Sequence, residues 1–297
     1  MDYEKLIALY YCICDCYDTK LVWHCQRFSN NSTQAEFTDA ELLTVYIYSV
    51  STEEKYKVKS IHNYAKKYLK DWFPTLPSYQ AFNRRLNRIN NVFPYLAAHL
   101  LSIVEVNRIH LDLSIVDSMP IITCSGKRKG KVATELTDKG YCSTKKLHYF
   151  GVKLHTIGFY RNQQLPFPEF FNVSKASEHD LNAVREIFLQ FTNRAIYADK
   201  AYAKKDLQKQ LVQQNNTTIY TPIKLVKGDS ENTRQFKFAA DKIVSTAVSK
   251  VRQPIESLFN WLIDKTDIQR ANKVRSTKGL IVHIFGKIAA AVSLWSF

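Results

Sequence analysis

Apolar residues in the first hundred positions recur at helical spacing. In FTDAELLTVYIY, Thr38-x-x-Glu41 forms a capping box ahead of an apolar run and predicts a helix start there. Lys55 to Trp72 is a basic, Tyr-rich helical stretch, and Pro77-Ser78 opens the next helix with Ser78 as N-cap. On that helix Phe82, Leu86 and Ile89 share one face, which leaves Arg84, Arg85 and Arg88 on the others. The texture changes near Arg108. IHLDLSIVDSMPIIT (109–123) is rich in β-branched residues and predicts a strand, as do KLHYFGVKLHTIGFY (146–160), PFPEFFNVS (166–174), RAIYADKAY (194–202) and TTIYTPIK (217–224). Amphipathic helices are expected from Asp180 to Thr192 and again up to Gln213, and largely helical segments over Ala239–Lys265 and Lys278–Ser296. The three leading strands can form a meander, whereas the later ones need helical crossovers. The pattern predicts an α/β fold over 109–297, a mixed sheet flanked by helices, preceded by an all-helical domain over 1–108.

Charge adds a partner. Among 297 residues, 42 Lys and Arg stand against 27 Asp and Glu, a net charge of +15, in a composition that is 45% hydrophobic and globular. Such a balance points to a polyanion, nucleic acid before an acidic membrane. Residues 1–108 hold 13 basic and 11 acidic side chains, the remainder 29 and 16, so the excess lies in the α/β part. It clusters at Lys127, Arg128, Lys129, Lys131, Lys139, Lys145, Lys146 and Lys153, and again at Arg270, Lys273, Arg275 and Lys278, which favours phosphate contact.

Two features read as structural. The apolar stretch from Gly279 to Phe297 has roughly spanning length, but His283 and Lys287 sit inside it, so it is expected as a buried or partner-covered helix. The six cysteines include Cys12, Cys14, Cys16 and Cys25 near His24. Their C-x-C-x-C spacing suits small buried hydrophobes better than zinc ligands. An acidic N-terminus without a secretion signal favours reduced thiols and a cytoplasmic protein.

Three carboxylates stand in apolar contexts: Asp117 in LSIVDSMPII, Asp199 in AIYADKAY and Glu256 in VRQPIESLFNWL. An unpaired buried carboxylate costs several kcal/mol, so each needs a cation, a set of donors or a metal. Strand ends and nearby helices converge on one site in an α/β sheet. Three acids without matching His or Cys suit Mg²⁺ or Mn²⁺. Two such ions can serve both the attacking and the leaving oxygen of a phosphodiester. The alternative is that each acid separately caps a turn or pairs with a cation, and Lys200 beside Asp199 and Arg252 one turn before Glu256 supply candidates.

VDSMPI, GYCSTKKLHYFGVKLH (140–155), ASEHD (176–180), YADKAY and RQPIESLFNWL, with LPSYQAFNRRLNRI (76–89) upstream, carry a resemblance. In this order they resemble the DDE transposases of bacterial insertion sequences, most of all the insertion sequence family 982 group. The resemblance implies a ribonuclease-H-like catalytic domain and a triad of Asp117, Asp199 and Glu256. The triad would hold two Mg²⁺ or Mn²⁺ ions. The implied activity is cleavage at the element's ends and transfer of the freed 3′-OH into target DNA. Arg252, four positions before Glu256, fits the family signature. Where relatives often have Gly-Asp-Lys-Gly-Tyr, this chain has Ala198-Asp199-Lys200-Ala201-Tyr202.

The implied partners are the terminal inverted repeats and target DNA, with a homodimer formed on DNA and no membrane. Arg84, Arg85 and Arg88 suit phosphates or guanine edges, and Lys145, Lys146, Lys153, Lys200 and Arg252 are further candidates for DNA contact. His179-Asp180 reads as a helix start with Asp180 as cap. The rival readings are a non-transposing nuclease of the same fold and a catalytically inactive DNA-binding relative.

Overall fold

The computed structural model describes residues 2–25, 36–105, 110–127, 129–142, 146–223, 228 and 230–297. Arg128 and Lys145 lie outside the described residues. The chain forms two compact units, one of Met1–Glu105, Lys131–Glu135 and Leu262–Phe297, the other of Val106–Gly130 and Leu136–Trp261.

The first unit is helical. Helix α1 (Tyr3–Cys16) starts at an Asp2 cap and runs through a π-helical turn into the short α2 (Val22–Cys25). Helix α3 (Asp39–Ser51) begins at the Thr38–Glu41 capping box that the sequence predicts, and Glu41 is its only residue not buried. Helices α4 (Val58–Tyr68), α5 (Tyr79–Arg88, capped by Ser78) and α6 (Val92–Ser102) complete the N-terminal set.

The unit also takes in the last helix of the chain, Thr277–Ser296, which becomes α11 once the helices of the second unit are counted. It packs on α6 and α3. At Gly286 a Cβ would come within 2.7 Å of the Tyr46 ring, so only glycine allows this approach, and the Tyr46 hydroxyl donates to Val282 O at 3.3 Å. The N-terminal stretch of this unit ends at Glu105. The segment from Leu262 onward, however, groups with the helical unit and not with the α/β unit as expected. Among the described residues α11 is the one helix long and apolar enough to cross a membrane, and most of it is buried inside this unit.

The second unit is a mixed sheet flanked by helices. Its strands are β1 (His110–Ser125), β2 (Asp138–Cys142), β3 (Leu147–Tyr160), β4 (Phe167–Lys175), β5 (Ala195–Tyr197) and β6 (Thr218–Tyr220). Antiparallel β1 and β3 form its spine, and β5 and β6 add in parallel beyond β1. The other edge of the long β3 is shared, first by β2 against Leu147–Gly151 and then by β4 against Val152–Phe159. The two meet where Ser177 N donates to Asp138 Oδ1 at 2.9 Å.

The crossovers are α7 (Asp180–Phe188) and α8 (Lys205–Asn215). Val116, Ile157, Ile196 and Ile219 of the sheet pack with Leu181, Val184, Phe188, Leu207 and Leu211 of these helices. Helix α9 (Glu231–Arg252) starts at a Ser230 cap, earlier than expected. It leads through Gln253 into α10 (Pro254–Thr266), broken where Pro254 has no N–H to give the preceding turn.

Candidate active site

The parallel register of β1 and β5 sets the first two acids. Ile115 pairs with Tyr197. Asp117, within β1, and Asp199, just past the end of β5, each follow that rung by two residues, and adjacent strands stand about 4.8 Å apart. Strand β5 ends sooner than the sequence suggests because Asp199 caps a single 3₁₀ turn, Lys200–Tyr202, its Oδ1 accepting Lys200 N at 2.6 Å. Asp199 is extended (φ −74°, ψ 168°), and neither Ala198 nor Ala201 has a positive φ. Nothing in this backbone therefore requires the glycines that relatives often carry.

The third acid arrives from the α9–α10 junction. Arg252 closes α9 and Glu256 lies in the first turn of α10. The Arg252 guanidinium donates through Nη1 to Asp117 Oδ2 and through Nη2 to Glu256 Oε1 at 2.8 Å. Asp117 Oδ1 accepts its neighbour's Ser118 N–H at 2.8 Å. The Asp117 side chain is 22% exposed and that of Glu256 54%.

Burial pushes the Asp117 carboxyl up to about 6. Arg252 and the Ser118 N–H pull it down, and the charges of Asp199 and Glu256 push it up again. Asp117 thus feels the charges of both other acids. Burial also raises the Tyr202 phenol well above its usual range, with Asp180, Asp117 and Asp199 adding to the effect.

The donor set is all carboxylate oxygen, the chemistry of Mg²⁺ or Mn²⁺. The guanidinium already places positive charge between two of the acids, so a divalent cation fits the chemistry of the site. As the side chains stand, no group of three His, Cys, Asp or Glu among the described residues is close enough to hold an ion. Arg252 fills the place between Asp117 and Glu256, and an ion bound by both would displace it.

The expected DNA contacts divide. Arg84, Arg88, Lys146 and Lys200 are exposed. Arg85 is not free for DNA: its guanidinium donates to Asp39 Oδ1 and to Phe37 O, each at 2.5 Å, and ties α5 to the start of α3. Lys153 is engaged too, donating to Asp180 Oδ1 at 3.0 Å and to Glu178 O at 2.7 Å. The cap of α7 is His179, whose side chain accepts Leu181 N, while Asp180 is the first residue inside the helix and spends its carboxylate on Lys153 and Ser118.

Sequence reasoning missed Ser118 and Tyr202. A serine beside an aspartate carries no pattern of its own. The tyrosine lies in an apolar cluster, with a buried hydroxyl that has no hydrogen-bond partner.

Residues 110–293 match the family described as the transposase DDE domain. The chain belongs to that family. The part that matches the transposase DDE domain contains Asp117, Asp199, Arg252 and Glu256, and it runs on past Leu262 into α11. No curated protein sequence matches the chain. A solved structure described as the Drosophila P element transposase strand transfer complex is similar over 72% of this chain and 47% of that one, at 13% identity and a TM-score of 0.27. This chain therefore spans less than half of that one, and the likeness assigns no residue a role.

Proposed function

We propose that this DDE-domain protein is an insertion-sequence transposase that cuts DNA at the element's ends and joins the freed 3′-OH to target DNA. Asp117, Asp199 and Glu256 are its catalytic carboxylates. The observation that carries the reading is the shared rung beneath Asp117 and Asp199, with Arg252 bridging Asp117 to Glu256. Two Mg²⁺ or Mn²⁺ ions, when bound, would activate the attacking oxygen and neutralise charge at the phosphodiester.

The chain's own part is positioning. The Ser118 N–H fixes one oxygen of Asp117, and the 3₁₀ turn fixes Asp199. Glu256, in the first turn of α10, is the more exposed of the two acids that Arg252 links. Arg252 holds the acids together before a cation arrives, and its planar fork then suits a phosphate. Arg84, Arg88, Lys146 and Lys200 supply backbone contacts to duplex DNA. Joining two ends calls for two copies of the chain on DNA, in a bacterial cytoplasm, and the motifs favour the insertion sequence family 982 group.

One rival keeps support from a specific observation. A guanidinium between Asp117 and Glu256 is also what a DNA-binding relative without chemistry would contain. The test is a supercoiled plasmid carrying the DNA that flanks this coding sequence, incubated with the full chain and Mn²⁺. Joined strands support transposition. Nicks alone indicate a nuclease of the same fold. Binding that is indifferent to Mn²⁺ and leaves the plasmid intact indicates the inactive relative.

A further inference from the structure

We infer that Asp180 and Lys153 are positioning residues that set the Asp117 carboxylate through Ser118, an inference that rests on Asp117 being catalytic. Neighbouring residues of a strand point to opposite faces. Ser118 therefore points away from Asp117, towards the α7 side where Val116 and Ile157 pack on Leu181 and Val184. There its hydroxyl donates to Asp180 Oδ1 at 3.1 Å, while its backbone N–H donates to Asp117 Oδ1 at 2.8 Å.

One residue thus has its side chain held from one face and holds the acid on the other. Lys153 fixes the far end, donating to the same Asp180 oxygen at 3.0 Å and to Glu178 O at 2.7 Å. The pair is sheltered, with side chains 17% and 22% exposed, and Asp180 stands at the N-terminus of α7, where the helix favours a negative charge. The result for Asp117 is a division of labour: Oδ1 is bound from within by Ser118, and Oδ2 is turned towards Arg252.

An ion pair in an otherwise apolar layer is a poor source of stability, since well-packed hydrophobic residues often serve as well or better. It does fix geometry, and here the geometry it fixes ends at the acid. Partners behind a metal-binding carboxylate commonly control its affinity for the ion.

The test uses the full chain and the variants Ser118→Ala, Ser118→Thr, Asp180→Asn, the double Ser118→Ala/Asp180→Asn, and Asp117→Asn. Mn²⁺ uptake is measured by titration calorimetry without DNA, and half-saturating Mn²⁺ for nicking of supercoiled plasmid is measured in parallel. Ser118→Ala and Asp180→Asn should each weaken Mn²⁺ binding by about 10-fold or more. Their effects should fail to add in the double variant, because both act through one hydrogen bond. Ser118→Thr keeps the hydroxyl and should bind Mn²⁺ as the unmutated chain does.

Unchanged Mn²⁺ binding in Ser118→Ala, or additive losses in the double variant, overturns the positioning role. If Asp117→Asn loses uptake and nicking while Ser118→Ala keeps both, only this inference fails. If Asp117→Asn keeps both, or the unmutated chain takes up no Mn²⁺, the reading of Asp117 fails and takes the inference with it. Should Asp180→Asn not fold, Ser118→Ala decides alone, since it leaves the Lys153–Asp180 pair in place.

Discussion

Asp117 and Asp199 each stand two positions beyond the same rung of the sheet, Ile115 opposite Tyr197. Residues separated by 82 positions in the chain thereby follow one rung of two adjacent parallel strands, Asp117 within β1 and Asp199 just past the end of β5. If that juxtaposition is catalytic, neutral amides will not replace the acids. Asp117→Asn, Asp199→Asn and Glu256→Gln should each lower Mn²⁺-dependent nicking or strand joining by about 10²–10³-fold or more. Affinity for duplex DNA, measured by filter binding at fixed salt, should change little. A variant that keeps the full rate removes its residue from the triad.

Arg252 holds Asp117 and Glu256 together while no metal is bound, and its loss leaves two carboxylates without their shared cation. Arg252→Ala should destabilise the metal-free protein by about 1–3 kcal/mol, less than for a fully buried pair because Glu256 is half exposed. Arg252→Lys should recover only part of this, because an ammonium lacks the planar fork that reaches both acids. Adding Mn²⁺ should raise the melting temperature of Arg252→Ala more than that of the unmutated chain. Equal shifts in calorimetry would mean that guanidinium and metal do not share a site.

The parts of this arrangement that were legible in the sequence are the local ones. A carboxylate among β-branched residues is conspicuous, and so is a capping box, because both signals lie within a few positions. Strand β2 was not legible: DKGYC has no apolar alternation and pairs only because β3 leaves an edge open to it. The place of α11 was equally hidden, since a helix apolar on nearly all sides does not name its neighbour. The contact that fixes it, Gly286 against Tyr46, joins residues far apart in the chain. In sequence Lys153 reads as a candidate for DNA contact, and only the fold brings Asp180 to it.

The arginines of α5 make the same point and can be separated. Arg85 is tied to Asp39 and Phe37 O, whereas Arg84 and Arg88 are exposed. Arg85→Ala should lower the melting temperature by leaving Asp39 without this cation, at a cost of about 1–3 kcal/mol. It should leave the salt dependence of DNA binding unchanged. Arg84→Ala and Arg88→Ala should do the reverse, each reducing the slope of log K against log salt by about one if it contacts a phosphate. A slope change in Arg85→Ala with no loss of stability would return that residue to the DNA surface.

Lys287 gives a pH dependence to the helical unit. It is 1% exposed within α11, and its ammonium donates to Asp267 O at 3.0 Å and lies 5.7 Å from the Tyr56 ring centre. Burial lowers its pKa to about 7, with Asp267 opposing the shift. An unfolded lysine titrates near 10.4. Between those values the unfolded chain binds the extra proton, so stability rises with pH from about 7 towards 10. Below 7 both states are protonated and this contribution is flat.

His283, one turn earlier, is lowered to about 3, by burial first and then by the Lys287 charge, and adds a rise between about 3 and 6.5 by the same sign. Lys287→Met keeps the packing volume without the charge. It should therefore be more stable than the unmutated chain at pH 7, by on the order of a few kcal/mol, and should lose the rise between 7 and 10. Thermal unfolding followed by circular dichroism across that range decides the matter. A melting temperature that stays flat or falls from pH 7 to 9.5 in the unmutated chain would show that Lys287 keeps its ordinary titration in the folded state.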